Sequence, residues 1–257
     1  MAMVSAMKIA VWQGPSPAGD LDRAFGDIAL ALSAAGAAGA AILVAPEAYL
    51  PGYNHDQIPE LAQTATGDWH NRLSELCRQT KCGLTIGYAE RDGAKVFNAA
   101  VAFDAIGRQI AHFRKIQLYG AREQQLYTPG DAYVTFDLVG TRTAILICYD
   151  IEFAQHVTAL SEKGVGLILV PTANMHPFTH VAAHTVPTMA ANYGVSIAYA
   201  NYCGVEGDLT YVGSSLVAGP HGEVLAQAGD GPCLLIVDLP EVDPARLATQ
   251  TQDFRKV

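Results

Sequence analysis

Two continuous apolar runs, Thr143-Ala-Ile-Leu-Ile147 and Gly166-Leu-Ile-Leu-Val-Pro171, constrain the fold of this chain most. Each is short and rich in branched aliphatic side chains, the pattern of a strand covered on both faces. A third run, Ala41-Ile-Leu-Val-Ala-Pro46, follows an Ala-rich helix read over residues 21–38. Sheets built from such strands need helices on their outer faces, which predicts a layered α/β sandwich.

The remaining pattern fits a single domain over residues 1–257. A first strand is read at 8–14, a helix at 68–81 (Trp69, Leu73, Leu76 and Cys77 at helical spacing) and a strand at 83–88. Strands at 96–103 and 109–113 flank Asp104-Ala-Ile-Gly107 as a hairpin. Residues 117–131 read as irregular, and a strand pair surrounds Val139-Gly140-Thr141. A helix over about 179–193 precedes strands at 196–201, 214–218, 223–226 and 234–238. There is no linker, low-complexity tract or domain-scale repeat, and 1–7 is expected to be a flexible extension.

Half of the residues are hydrophobic and 16% are charged, so a large core can be buried. The formal charge of −9, with no basic run longer than Arg114-Lys115 or Arg255-Lys256, argues against nucleic-acid or anionic-membrane partners. Five cysteines, an odd and widely spaced set, suit a reducing compartment better than a disulfide framework. No secretory leader is read, and the most apolar long stretch, 28–45, is broken by Gly36 and Gly39 into helix and strand. The expectation is a soluble, cytoplasmic protein.

Three polar residues stand at the ends of apolar strands: Glu47, Lys115 and Cys148. In open α/β sheets such ends border ligand crevices. Asp150 is expected to cap a helix starting near Glu152, which would set the Cys148 thiol at the positive end of a helix dipole and favour thiolate. If the three converge, a carboxylate can take the thiol proton while an ammonium and backbone N–H groups hold the oxyanion of an attacked carbonyl. Singly, a strand-end Glu or Lys is a solvated edge, and a cysteine is core packing as readily as a nucleophile. The reading therefore rests on their surroundings.

Those surroundings resemble the nitrilase superfamily of carbon–nitrogen hydrolases along nearly the whole chain. The resemblance lies in Ala45-Pro-Glu47-Ala-Tyr-Leu-Pro-Gly-Tyr53, Phe113-Arg-Lys115-Ile-Gln-Leu-Tyr-Gly120 and Leu146-Ile-Cys148-Tyr-Asp-Ile-Glu-Phe153, in the family's order. Val96-Phe-Asn98 and Tyr127-Thr-Pro-Gly130 also match. It implies a four-layer α-β-β-α sandwich, commonly paired into a homodimer or higher oligomer. It implies Glu47 as general base, Cys148 as nucleophile, Lys115 with the Tyr149 N–H as oxyanion stabilisers, and Glu123 positioning a substrate amide. Ammonia would leave, and a Glu47-activated water would hydrolyse the thioester. Within the superfamily the chain is most similar to short bacterial aliphatic amidases such as 5-aminovaleramide amidohydrolases, through Pro171-Thr-Ala-Asn-Met175 and Ala200-Asn-Tyr-Cys-Gly204. The implied pocket is Tyr53, Tyr119, Tyr149, Thr172, Ala173, Asn174 and Met175, with a small amide and water as partners and no cofactor. Two departures stand out: Ala154-Gln155 replace Pro-Glu, and Met189-Ala-Ala-Asn-Tyr193 lacks the Arg and Glu of the family's later helix.

Other chemistry has weaker support. His176, His180 and His184 fall at i, i+4 and i+8, a spacing that can bind Zn²⁺ on a helix. Pro177 interrupts them and no Cys, Asp or Glu is near, so they read as partly buried or pocket-rim residues and no metal is expected. His156 would point away from Cys148 along its helix. An N-carbamoyl amino acid would need a cationic clamp, and residues 171–204 contain no arginine. A nitrile is the other rival, and the altered 189–193 segment alone favours a catalytically silent binding protein.

Overall fold

The structure is a computed structural model that describes residues 7–255. The first half runs β1 (Lys8–Pro15), α1 (Leu21–Ala37), β2 (Ile42–Val44), α2 (Ile58–Leu61), α3 (Asp68–Thr80), β3 (Gly83–Asp92), β4 (Lys95–Phe103), β5 (Gln109–Arg114) and α4 (Gly120–Leu126). The second half opens with β6 (Thr135–Leu138) and β7 (Thr141–Ile145), followed by a 3-10 turn (Cys148–Glu152), α5 (Ala154–Ser161) and β8 (Leu167–Pro171). A π-helical turn (Val181–Thr185) continues into α6 (Val186–Tyr193). Then come β9 (Ser196–Ala200), β10 (Tyr202–Cys203), β11 (Val205–Glu206), β12 (Leu209–Thr210), β13 (Leu216–Ala218), β14 (Val224–Gln227) and β15 (Cys233–Asp238).

One sheet is ordered β10-β1-β2-β3-β4-β5 with β15 also on β1, the other β14-β13-β9-β8-β7-β6. The strands β1, β2 and β3 are mutually parallel, as are β7, β8 and β9. Alternate side chains sort into layers. Ile9, Val11, Ile42 and Val44 meet Leu167, Leu169, Ala198 and Val217 between the sheets. Ala10, Leu43, Leu84 and Ile86 face out under α1 and α3, which bury Ile28, Leu32, Trp69 and Leu73 against them. Ile168, Val170 and Ile197 face out under Val157, Leu160, Val186 and Ala190 of α5 and α6. Each fully buried aliphatic contributes about 1.5–3 kcal/mol, and a one-residue slip would exchange the faces, so register and layering are fixed together. The result is the expected α-β-β-α sandwich.

Four expectations are corrected. Residues 117–131 are not irregular throughout, because α4 lies within them. Its one buried residue is Glu123, so no apolar stripe announced it. Asp150 does not cap an α-helix near Glu152. Its carboxylate accepts the main-chain N–H groups of Ile147 (3.0 Å) and Gln117 (2.7 Å), and α5 starts only at Ala154. The helix read from about 179 begins as the π-turn at Val181. Met7 is no part of a loose extension, since its carbonyl accepts the Leu239 N–H at 2.9 Å; residues 1–6 of that stretch lie outside the described residues. No helix among the described residues is long and apolar enough to cross a membrane.

Candidate active site

Glu47, Lys115 and Cys148 follow the C-terminal ends of β2, β5 and β7, and the sandwich brings these ends together. Glu47 sits in the turn after Pro46, with its carbonyl accepting the Tyr202 hydroxyl at 2.7 Å. Gly87 of β3 lies against it: a Cβ there would meet the Ala48 nitrogen at 2.3 Å and the Glu47 Cα at 2.6 Å. Lys115 is held by its own backbone, its N–H donating to Asn98 and its carbonyl accepting from Gly130 (2.8 and 2.7 Å). Cys148 opens the 3-10 turn with φ +47°, a left-handed conformation unusual for a side-chain-bearing residue. The bonds from Asp150 to Ile147 and Gln117 tie that turn to the loop after Lys115.

Lys115 is fully buried between two carboxylates, its Nζ 2.6 Å from Glu47 Oε1 and 2.7 Å from Glu123 Oε1. Asn98 Nδ2 also donates to Glu47 Oε1, at 2.7 Å. Glu47 Oε2 has no hydrogen-bond partner among the described residues. Glu123 is fixed by the Tyr53 hydroxyl (2.7 Å) and the Tyr119 N–H (2.9 Å). Burial disfavours the Lys115 ammonium, but the charges of Glu123 and Glu47 outweigh it and hold the lysine protonated far above its ordinary pKa. Burial, reinforced by the Glu123 charge and opposed by Lys115, pushes the Glu47 carboxyl up.

The Cys148 thiol is also pushed well above its ordinary value, by burial first and the Glu47 charge second. Lys115 and hydrogen bonds from Thr172 and the Ala173 backbone oppose this and do not prevail. The expectation of a dipole-stabilised thiolate is therefore corrected: the turn after Cys148 is 3-10 and short, and desolvation wins. The resting arrangement is a neutral thiol beside a carboxylate of raised proton affinity. A base tuned upward in this way is suited to taking the proton as the sulfur attacks.

The sulfur opens onto a cavity of about 220 Å³ lined by Tyr53, Tyr119, Cys148, Tyr149, Glu152, Asn174, Met175, Phe178 and His180. The rings pack edge to face, Tyr119 against Tyr149 at 5.3 Å and against Phe178 at 5.8 Å between centroids. Of the pocket residues expected from sequence, Tyr53, Tyr119, Tyr149, Asn174 and Met175 lie on this wall. Thr172 and Ala173 are not on this wall: both are buried, and the Thr172 hydroxyl donates to the Tyr199 hydroxyl at 3.2 Å. His156 pairs with Gln117 (3.0 Å) and Tyr133 (2.7 Å) instead of Cys148. No cluster of three or more His, Cys, Asp or Glu that could hold a metal occurs among the described residues.

Residues 8–247 match the profile of the carbon–nitrogen hydrolase family. The chain belongs to that family. A hydrolase of Pseudomonas protegens is 36% identical over 91% of this chain and 82% of its own length. The human omega-amidase is 30% identical over 85% and 83%. Among solved structures, an active-site variant of the amidase from Nesterenkonia, described as of the nitrilase superfamily, superposes with a TM-score of 0.88 at 33% identity, covering 93% of this chain and 94% of its own. Another variant of that amidase carries the acetamide moiety of fluoroacetamide covalently on its active-site cysteine (TM-score 0.87, 33% identity, 92% and 91% covered). This protein is accordingly a nitrilase-superfamily enzyme that hydrolyses carbon–nitrogen bonds.

Sequence reasoning missed two residues of this hydrolase's cavity, Glu152 and Phe178. The sequence pattern places Glu152 in the first turn of a helix, where a carboxylate is favoured by the helix dipole and needs no other role. Phe178 follows His176-Pro177 in a loop with no periodicity to reveal its direction. The one available signal was position: Glu152 lies four residues after the cysteine, and Phe178 four after Asn174.

Proposed function

We propose that this hydrolase is a cysteine-dependent amidase cleaving small aliphatic amides to carboxylate and ammonia. The observation that carries the reading is the buried Glu47–Lys115–Glu123 cluster beside a thiol that opens onto an aromatic-walled cavity. Relatives described as an (R)-stereoselective amidase and an omega-amidase support an amide substrate.

In this mechanism the Cys148 sulfur attacks the amide carbonyl as its proton passes to Glu47. The oxyanion is held by the Lys115 ammonium and the Tyr149 N–H. As the C–N bond breaks, Glu47 returns the proton to the leaving nitrogen and ammonia departs, leaving a thioester on Cys148. Glu47 then deprotonates a water that attacks the thioester, releasing the carboxylic acid and restoring the thiol. Glu123, fixed by Tyr53 and Tyr119, balances Lys115 and orients the amide. Tyr53, Tyr119, Tyr149, Asn174 and Met175 line the acyl chain. The five free cysteines support a cytoplasmic location. A homodimer is the assembly the resemblance implies, and light scattering would test it.

Ammonia release from short linear amides, matched nitriles and N-carbamoyl amino acids, run beside Cys148→Ala, tests the reading. Thiol-dependent release from amides is expected. Release by Cys148→Ala at the wild-type rate, or release from nitriles or carbamoyl compounds alone, would overturn it.

A further inference from the structure

Glu206, on the hairpin of β11 and β12, is a buried carboxylate that the chemistry above does not use. Its hydrogen-bond donors are neutral. Oε2 accepts both the Asn54 N–H (3.0 Å) and the Tyr211 hydroxyl (2.5 Å), while Oε1 has no partner among the described residues. A carboxylate withdrawn from water without a cation is costly. The loop that carries Tyr53 is nevertheless seated directly on it. A Cβ on Gly52 would meet Glu206 Oε1 at 2.6 Å and Ser16 Oγ at 2.8 Å, and the Gly52 φ of +125° also calls for glycine.

Each of the two donors leads to one of the glutamates that share Lys115. Asn54 follows Tyr53, whose hydroxyl donates to Glu123 Oε1 at 2.7 Å. The Asn54 side chain ties the same loop to the hairpin again, donating to the Glu206 carbonyl (2.9 Å) and to Asp208 Oδ1 (2.8 Å). Tyr211 stacks on Tyr202, with 4.8 Å between centroids and 28° between ring planes, and the Tyr202 hydroxyl donates to the Glu47 carbonyl at 2.7 Å. Burial, then the Glu206 charge, push the Tyr211 pKa up, so its hydroxyl stays a donor. The hairpin's second strand also reaches the cavity wall. Thr210 accepts the His176 N–H at 2.9 Å, and the Val212 N–H donates to the Asn174 carbonyl at 3.0 Å. A two-stranded hairpin is marginal by itself, so its place depends on these bonds.

We propose that Glu206 is a positioning residue: by gathering Asn54 and Tyr211 on one oxygen it sets, through Tyr53 and Tyr202, where Glu123 and Glu47 stand around Lys115. It touches neither the substrate nor the sulfur. The inference rests on the roles given to Glu47 and Glu123 in the amidase reading above. Without the shared acceptor the Tyr53 hydroxyl can leave Glu123. The charge of Glu123 then draws more on Lys115, Lys115 compensates Glu47 less, and Glu47 holds its proton more tightly.

Three variants test it. Glu206→Leu removes the acceptor, Glu206→Gln keeps an amide oxygen in the place of Oε2, and Tyr211→Phe cuts one arm while leaving the stacked rings. With a short amide, kcat of Glu206→Leu should fall on the order of 100-fold. Its acid limb in the pH profile of kcat/KM, which reports Glu47 losing a proton, should move to higher pH. Glu206→Gln should stay within about threefold of wild type with the limb in place, and Tyr211→Phe should lose about 10-fold in kcat. A role confined to holding the hairpin would lower Tm and leave the limb where it is. An unmoved limb in Glu206→Leu, or a Glu206→Gln as slow as Glu206→Leu, would overturn the proposal. Should Glu206→Leu fail to fold, wild-type kcat in Tyr211→Phe would do the same. A second arm works without turnover: at neutral pH iodoacetamide should label Cys148 about 10-fold more slowly in Glu206→Leu and Tyr211→Phe than in wild type and Glu206→Gln. If wild type hydrolyses no amide, the amidase reading fails and labelling alone decides, equal rates in all four proteins rejecting a positioning role for Glu206.

Discussion

Lys115 Nζ and Glu47 Oε1 stand 2.6 Å apart, and neither side chain has any exposure to solvent. With Glu123 on the other side, one ammonium compensates two carboxylates, so the three cannot be exchanged independently. Lys115→Met would leave two facing carboxylates without a cation, a loss of about 3–5 kcal/mol for a broken buried pair. Glu47→Gln keeps an acceptor for Lys115 and Asn98 and leaves Lys115 balanced by Glu123, so its stability cost is smaller. Both variants should be inactive, and calorimetry should give the methionine variant much the lower Tm. Equal Tm losses would show that the cluster is not held by charge balance.

Gly87 sets how closely β3 can approach the turn that carries Glu47. The Cβ of Gly87→Ala would sit 2.3 Å from the Ala48 nitrogen and 2.6 Å from the Glu47 Cα, both backbone atoms that can yield only by moving the turn. A displacement of about 1 Å at a catalytic group can cost on the order of 100-fold in rate. The expected outcome is a folded protein whose kcat falls by about that factor while iodoacetamide still reaches Cys148. An unchanged kcat would mean that Glu47 tolerates the shift.

The cysteine turn depends on Asp150, which is buried and accepts main-chain N–H groups with both oxygens. Asparagine supplies one acceptor and sets an NH₂ against a donor, leaving a buried N–H unpaired at a cost of about 1–3 kcal/mol. Asp150→Asn should therefore lower Tm and also kcat, because the bond to Ile147 fixes the residue just before Cys148, the proposed nucleophile. Thermal melts and amide turnover on one preparation check both. A variant that loses stability but keeps full turnover would separate the turn's anchor from its chemistry.

The layers were legible because they rest on a local pattern. Ile42 to Val44 and Leu167 to Pro171 are apolar without interruption, which only a doubly covered strand explains. Glu47, Lys115 and Cys148 follow β2, β5 and β7, a position as open to a solvated edge as to a site, and the resemblance singled them out. Glu123 was reached only through the resemblance, and α4 around it could not be read, since it buries nothing apolar. Asp150 and Glu152 both take directions that the expected helix, with Asp150 as its cap, does not give. An acid just ahead of a helix reads as a cap, yet one reaches back to Ile147 and Gln117 and the other turns into the cavity, directions set by the 3-10 winding of Cys148–Glu152. Neither the sign of the thiol's shift nor the absence of Thr172 and Ala173 from the cavity wall is written locally, because both depend on how the two sheets close over the site.

Lys115 enters the site from a strand whose preceding residue is clamped. Arg114 Nη2 and Nε donate to Glu90 at 2.7 and 2.8 Å, and His112 reaches the same carboxylate at 3.0 Å. Burial alone would raise the Glu90 pKa, but these bonds and charges outweigh it and hold the carboxyl at about 2, against its ordinary 4.5. The folded pKa lies below the unfolded one, so the stabilisation is complete above the ordinary value and drains away as pH falls toward about 2. The full effect is at most about 3 kcal/mol, with Arg114's partial exposure reducing it. Urea midpoints for wild type and Glu90→Gln should therefore differ most at neutral pH, start to approach each other as pH falls below about 4.5, and converge only toward about pH 2. A gap that stays constant with pH would mean that the clamp acts through packing of the Arg114 guanidinium on Phe97, 3.7 Å from the ring centroid, and not through the Glu90 charge.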